Sequence, residues 1–214
     1  MPNFEKSLRA LRRDTHFAVL IKKYGPPDFS RYHADAPTVF SALVRSIIYQ
    51  QLSGHAARAI HMRVLALMSD GVTPEALAKI TAPKLRAAGL SIAKVAYLQD
   101  LARAFKDGTI NEAALPQMSS QEIVDHLCQI KGVGEWTAHM LLIFSLYRLD
   151  ILPIGDLAIR KGIQQIYRLE ELPTKKHIEE IAQKWRAHAS VASWYIWRVA
   201  DDEKPKSKPK SPST

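Results

Sequence analysis

The 214-residue chain holds a single cysteine, Cys128. One thiol cannot close an internal disulfide, build a cysteine zinc site or hold a four-cysteine iron–sulfur cluster. No apolar run approaches the ~20 residues of a membrane-spanning helix; a typical stretch, Met140–Phe144, is five residues long. The first residues, Met1-Pro-Asn-Phe-Glu-Lys, lack the charged-then-apolar pattern of a secretory signal. No His-Glu-x-x-His occurs among the eight histidines, so no catalytic transition metal is expected, and His55, His61, His126 and His139 are read as surface or supporting residues. Strict apolar–polar alternation is nearly missing, which argues against a sheet. The expected location is intracellular: cytoplasm or nucleoid in a bacterium, nucleus in a eukaryote.

What is present is positive charge. Thirty Lys and Arg stand against 21 Asp and Glu, a formal +9. A basic balance favours polyanionic partners, with a merely basic soluble surface as the alternative. Four of the lysines lie in the tail KPKSKPKSPST (204–214), which has no apolar residue and is expected to be disordered.

The rest reads as about ten short helices. Asp14, Thr73, Thr81, Ser91 and Thr174 stand where N-caps belong, and Ser119 with Glu122 fits a capping box. Gly25, Gly89 and Gly108 follow helical stretches as stops. Leu43, Ile47 and Ile48 recur at helical spacing, as do Ile123, Leu127 and Ile130. No repeat of 30–50 residues is visible, which excludes a solenoid.

The informative stretch begins at Ser119. A helix over 121–129 leads into Lys131-Gly-Val-Gly134, and a second helix runs from Glu135 through Leu146. Glycines at 132 and 134 permit positive φ and close backbone approach. A helix starting directly after them aims free N–H groups outward, a phosphate site made of backbone amides. An ordinary tight turn has the same local sequence, and Gly-x-Gly alone does not decide between them. No Gly-Lys-Ser/Thr follows, which excludes a P-loop.

The whole string IKGVGEWTAHMLLIFSLYRLDILPIGDLAIRKGI decides it. It resembles the helix–hairpin–helix plus Gly/Pro/Asp signature of the HhH-GPD DNA glycosylases, and within them the DNA-3-methyladenine glycosylase II family. IIYQQLSGHAARAI (47–60) is similar to that family's Gln-Gln-x-Ser segment. Trp185 and Trp194-Tyr-Ile-Trp197 resemble its C-terminal aromatic helix. The likeness covers nearly the whole chain, with three segments in the family order. Two departures bear on the base spectrum. Met140 stands where some members carry Tyr, and Trp185-Arg-Ala-His-Ala189-Ser190 lacks the family's Pro and Arg. Some members carry a β-rich N-terminal domain; none is expected here.

The resemblance implies an all-α fold of two helical lobes with a DNA cleft between them. One lobe spans 35–150 with the hairpin at about 120–148; the other joins 1–34 to 151–203. It implies a base-excision-repair enzyme that flips alkylated purines out of double-stranded DNA and hydrolyses the N-glycosidic bond, acting as a monomer away from membranes. Asp156 is the implied catalytic carboxylate, although as a residue it also suits the N-cap of a following helix. Gln51 is the implied wedge, with Leu52 beside it and Ser53 at the minor groove; by composition the same residues suit a polar corner capped by Ser53. Trp136, Trp197, Phe144, Ser145 and Met140 are implied to line the base pocket, while Trp194 is assigned to the core.

Lys131, Gly132, Gly134 and Thr137 are expected at a phosphate. The carbonyls of Cys128, Ile130 and Val133 match a monovalent-cation site, Na or K, in relatives; no cofactor is expected for catalysis. Where lyase members carry the lysine that forms a Schiff base, this chain has Trp136, which implies hydrolysis without strand cleavage. The alternatives are a glycosylase for other bases, such as ethenoadenine or hypoxanthine, and a noncatalytic DNA-binding module.

Overall fold

The computed structural model describes residues 3–29, 36–68 and 71–202. The basic tail, 204–214, lies outside them. Among the described residues the chain is all-helical, with no strand and no helix long and apolar enough to cross a membrane. The described residues hold twelve α-helices and two short 3-10 segments, against about ten helices expected.

The local chemistry explains most boundaries. Asp14, Thr73, Ser91 and Thr174 each accept a hydrogen bond from the first turn of the helix they precede. Ser119 and Glu122 close a full capping box, and Thr38 with Ser41 forms a second, unanticipated one. Thr81 is a correction, for its side chain caps nothing. Pro83 removes one of the two amides a cap can bond and leaves only Lys84 N, which Thr81 does not engage.

The chain forms two compact units. The first is Asp28–Arg148. It contains α1 (Val39–Tyr49), α2 (Gly54–Ala66), α3 (Pro74–Ala78), α4 (Ala82–Ala87), α5 (Ile92–Lys106), α6 (Ser120–Leu127) and α7 (Glu135–Phe144). Helix α1 is its centre and packs on α2, α5 and α7. Leu43, Ile47 and Ile48 of α1 are wholly buried, as helical spacing predicted, and so is Val44. Phe29 joins this unit through an edge-on contact with Phe144, ring centroids 5.2 Å apart.

The second unit combines Met1–Pro27 with Leu149–Thr214. Its helices are α8 (Glu5–Leu11), α9 (Thr15–Tyr24), α10 (Leu157–Ile166), α11 (Lys175–Ala182) and α12 (Ala189–Asp202). Helix α12 is buried from Ala189 through Ile196 and packs on α8, α9 and α10. Gly162 sets the α10–α12 crossing. A Cβ there would lie 2.5 Å from Ile196 Cγ2 and 2.6 Å from the Ile196 carbonyl oxygen, so only glycine permits this approach. Within this unit Ser190 N donates to Leu149 O at 2.9 Å and Ile151 N donates to Ser190 Oγ at 3.1 Å.

Candidate active site

The hairpin belongs to the first unit. Helix α6 stops at Leu127, two residues short of the expected end, with Cys128 as its C-cap. The chain turns through Ile130 N to Leu127 O and Val133 N to Ile130 O, both 3.0 Å. Gly132 has φ +84 and is the glycine the turn requires. Gly134 has φ −103 and serves as the N-cap of α7, its Cα open to space. Lys131, Gly134 and Glu135 are exposed, and Trp136 is 53% exposed. Thr137 is buried in the first turn.

Helix α7 ends at Phe144, not Leu146. Ser145 N and Leu146 N both bond Leu141 O, and Tyr147 takes φ +52, so the chain leaves the helix within one turn. Trp136, Met140 and Phe144 share one face of α7 at four-residue spacing. Exposure falls along it, from Trp136 through half-buried Met140 to Phe144, 5% exposed beside Phe29. Ser145 is the half-buried C-cap.

The polar corner follows α1. Gln51 adopts φ +56, a left-handed backbone that a non-glycine residue enters at a cost of order 1–3 kcal/mol and that clusters at functional sites. Gln51, Leu52 and Ser53 are all exposed, and Ser53 Oγ caps α2 through Ala56 N at 3.4 Å. Gln50 is turned the other way, its Nε2 donating to Gly132 O at 2.7 Å. Corner and hairpin, 82 residues apart in sequence, are thus tied.

Sequence reasoning missed what holds them. Lys94, Tyr97 and Asp100 recur every third residue along α5. Lys94 Nζ donates to Ile48 O at 2.8 Å and to Gln50 O at 2.7 Å, and burial pushes its pKa down. The Tyr97 ring lies where a side chain on Gly132 would be, 2.3 Å from an ideal Cβ. Asp100 Oδ2 accepts from Lys131 N at 3.1 Å. The Arg103 guanidinium first, then the Lys131 amide, hold Asp100 below the usual carboxylate range.

Of the four histidines read as surface or supporting residues, His61 is an interior one. It is 6% exposed, on the buried face of α2 with Ala57 and Val64, and its ring meets the Tyr49 edge at 5.8 Å. Four- and three-residue spacing from buried Ala57 and Val64 was the available signal.

The hairpin also carries the three carbonyls considered for a cation. Ile130 O already accepts from Val133 N, and a carbonyl oxygen has a second lone pair to offer. Burial, then the Glu135 and Asp125 carboxylates, push the Cys128 thiol up. Backbone carbonyl oxygens are hard donors, the kind that suits a hard cation.

Asp156 belongs to the second unit. It is the N-cap of α10 and half-buried, Oδ1 accepting from Ala158 N at 2.7 Å. Oδ2 accepts from Trp197 Nε1 at 3.2 Å. The helix cap and the Trp197 contact thus fall on different oxygens of one carboxylate. Trp194 is buried, as assigned, with the Arg198 guanidinium 4.7 Å over its ring.

Residues 44–188 match the model of the HhH-GPD superfamily base excision DNA repair proteins. The chain is 36% identical to DNA-3-methyladenine glycosylase 1 of Schizosaccharomyces pombe over 172 residues, 78% of this chain and 75% of that protein. Among solved structures, S. pombe 3-methyladenine DNA glycosylase in complex with abasic DNA superposes with a TM-score of 0.76 at 32% identity, covering 90% of this chain and 95% of that one. A DNA-3-methyladenine glycosidase from Bacillus halodurans superposes with a TM-score of 0.79 at 31% identity, covering 91% and 88%. The chain belongs to the HhH-GPD superfamily of base excision DNA repair proteins.

Proposed function

We propose that this protein is a monofunctional DNA glycosylase of the 3-methyladenine glycosylase II kind. It releases alkylated purines from double-stranded DNA as a monomer. The observation that carries this is the Asp156 carboxylate, fixed by Ala158 N on one oxygen and Trp197 Nε1 on the other.

Breaking the bond between C1′ and the base sends the bonding pair to the base and leaves cationic charge on the sugar. A preoriented carboxylate stabilises that charge and receives the proton of the attacking water. Water oxygen bonds to C1′, and an abasic site remains. A purine methylated at N3 or N7 already carries positive charge, so it leaves as a neutral base. Aromatic faces such as Trp136 and Trp197 favour such cations. Met140, Phe144 and Ser145, on the hairpin helix with Trp136 or at its end, are the other residues proposed to meet the base.

The glycosidic bond is out of reach inside a duplex, so the nucleotide is flipped out. Gln51, with Leu52 and Ser53 beside it, fills the gap. Lys131 and the amides of Gly132 and Gly134, with Thr137 in the first turn, hold a phosphate. Such contacts set register without reading sequence. The Cys128, Ile130 and Val133 carbonyls would hold a monovalent cation, adding positive charge next to that phosphate. Trp136 offers no amine for a Schiff base, so the strand stays intact.

The test is release of free base from methylated duplex DNA, followed by strand analysis before and after alkali. Release of 3-methyladenine and 7-methylguanine with alkali-dependent breakage is expected. Release only from ethenoadenine or hypoxanthine duplexes would reassign the substrate. Binding without release from any lesion would reassign the protein to the noncatalytic class. Borohydride trapping of a covalent complex would overturn the monofunctional assignment.

A further inference from the structure

The wedge corner and the phosphate hairpin are separate segments, yet one face of α5 holds both. The α1 C-terminus presents carbonyls with no further helical N–H to take them, and Lys94 bridges those of Ile48 and Gln50. The next carbonyl belongs to Gln51, whose φ of +56 needs the surrounding structure to maintain it. One residue back, the Gln50 side chain reaches the hairpin at Gly132 O. Three and six residues beyond Lys94, Tyr97 and Asp100 support Gly132 and the Lys131 amide.

We propose that Lys94 is a positioning residue: its ammonium locks the Gln50–Gln51 corner onto the hairpin, so that phosphate capture by the hairpin places the Gln51 wedge in register with the flipped nucleotide. This rests on the glycosylase reading given above. Lys94 touches neither the base nor the sugar. It acts through two backbone carbonyls, and Gln50 transmits the same constraint to Gly132. Loss of the ammonium leaves the phosphate amides in place but frees the corner to relax out of its left-handed turn. Binding to undamaged duplex then survives, while wedge insertion and the base release that depends on it fall.

The experiment compares wild type, Lys94→Met and Lys94→Arg on three probes: undamaged duplex, a duplex with a tetrahydrofuran abasic analogue and 2-aminopurine opposite, and methylated duplex in single turnover. For Lys94→Met, undamaged-duplex affinity is expected within a few-fold of wild type. Its 2-aminopurine response is expected to be largely lost, and base release to fall about 10- to 100-fold, the scale of a roughly 1 Å misplacement. Lys94→Arg, which keeps a cationic donor, is expected to recover most of both. Lys94→Met with wild-type 2-aminopurine response and release would overturn the proposal, as would equal loss in Lys94→Arg and Lys94→Met.

Should Lys94→Met lack a thermal transition, Gln50→Met carries the same test, since it removes only the donor to Gly132 O. A wild-type response in Gln50→Met would then overturn the coupling. The abasic duplex requires no base release. The wedge is therefore read even if wild type releases nothing from methylated DNA, a result that would overturn the glycosylase reading instead.

Discussion

Trp197 Nε1 donates to Asp156 Oδ2 at 3.2 Å, while Oδ1 of the same carboxylate caps α10 through Ala158 N at 2.7 Å. The two donors come from different helices and hold the carboxylate plane from both ends. Trp197→Phe keeps an aromatic ring, though a smaller one, and removes the donor. Base release is expected to fall about tenfold or more, with affinity for abasic duplex unchanged. Single-turnover release beside an equilibrium binding titration checks this; a drop confined to binding would assign Trp197 to stacking alone.

The α10–α12 crossing positions that pair. Gly162→Ala drives a Cβ against Ile196 Cγ2 and the Ile196 carbonyl oxygen, and backbone cannot swing aside. Overpacking of this kind costs about 1–3 kcal/mol. Chemical denaturation is expected to show that loss, with release reduced beyond the loss of folded protein because Trp197 follows Ile196 directly.

Gly132→Ala is expected to be worse. It combines φ +84 with a clash against the Tyr97 ring rather than a flexible chain end. The left-handed backbone alone costs about 1–2 kcal/mol for an L-residue. Tyr97→Ala in the same chain removes the ring atoms from the clash, leaving its Cβ at 3.0 Å and the backbone strain, so thermal denaturation should show partial rescue.

Asp14 ties α9 to Tyr167 in the second unit. Burial by itself would raise its pKa, but hydrogen bonds from the Tyr167 hydroxyl and from His16 outweigh it, and the carboxyl sits below its ordinary 3.8. Its contribution is therefore complete above the unfolded value and disappears as pH falls through the lowered folded one. Asn caps as well as Asp, so Asp14→Asn isolates the charge. It is expected to cost about 1–2 kcal/mol at neutral pH, the gap closing below pH 3.8 in urea unfolding. A gap independent of pH would contradict this.

Much of this could be read in the chain itself. Ser119 and Glu122 announced the hairpin helix, and the Gly/Pro/Asp string located Asp156. Long-range partners could not be read. Lys94, Tyr97 and Asp100 look like the solvated face of an amphipathic helix, and their partners lie 31 to 46 residues away. Gln50 and Gln51 are identical letters with opposite roles, one turned to the hairpin and the other strained and exposed. His61 reads as either a surface or a supporting residue until Tyr49 is placed against it. The end of α7 carries no glycine or proline, and Tyr147 takes the left-handed turn instead.

The most direct test of the central claim is base release from methylated duplex by wild type beside Asp156→Asn. Asn retains the cap on α10 and a similar shape but not the charge. The variant is expected to fold and bind abasic duplex like wild type, while release falls at least ~100-fold, the scale of losing one preorganised electrostatic contact. Release at the wild-type rate would mean that Asp156 only caps its helix, and that the carboxylate supporting the sugar cation is another residue.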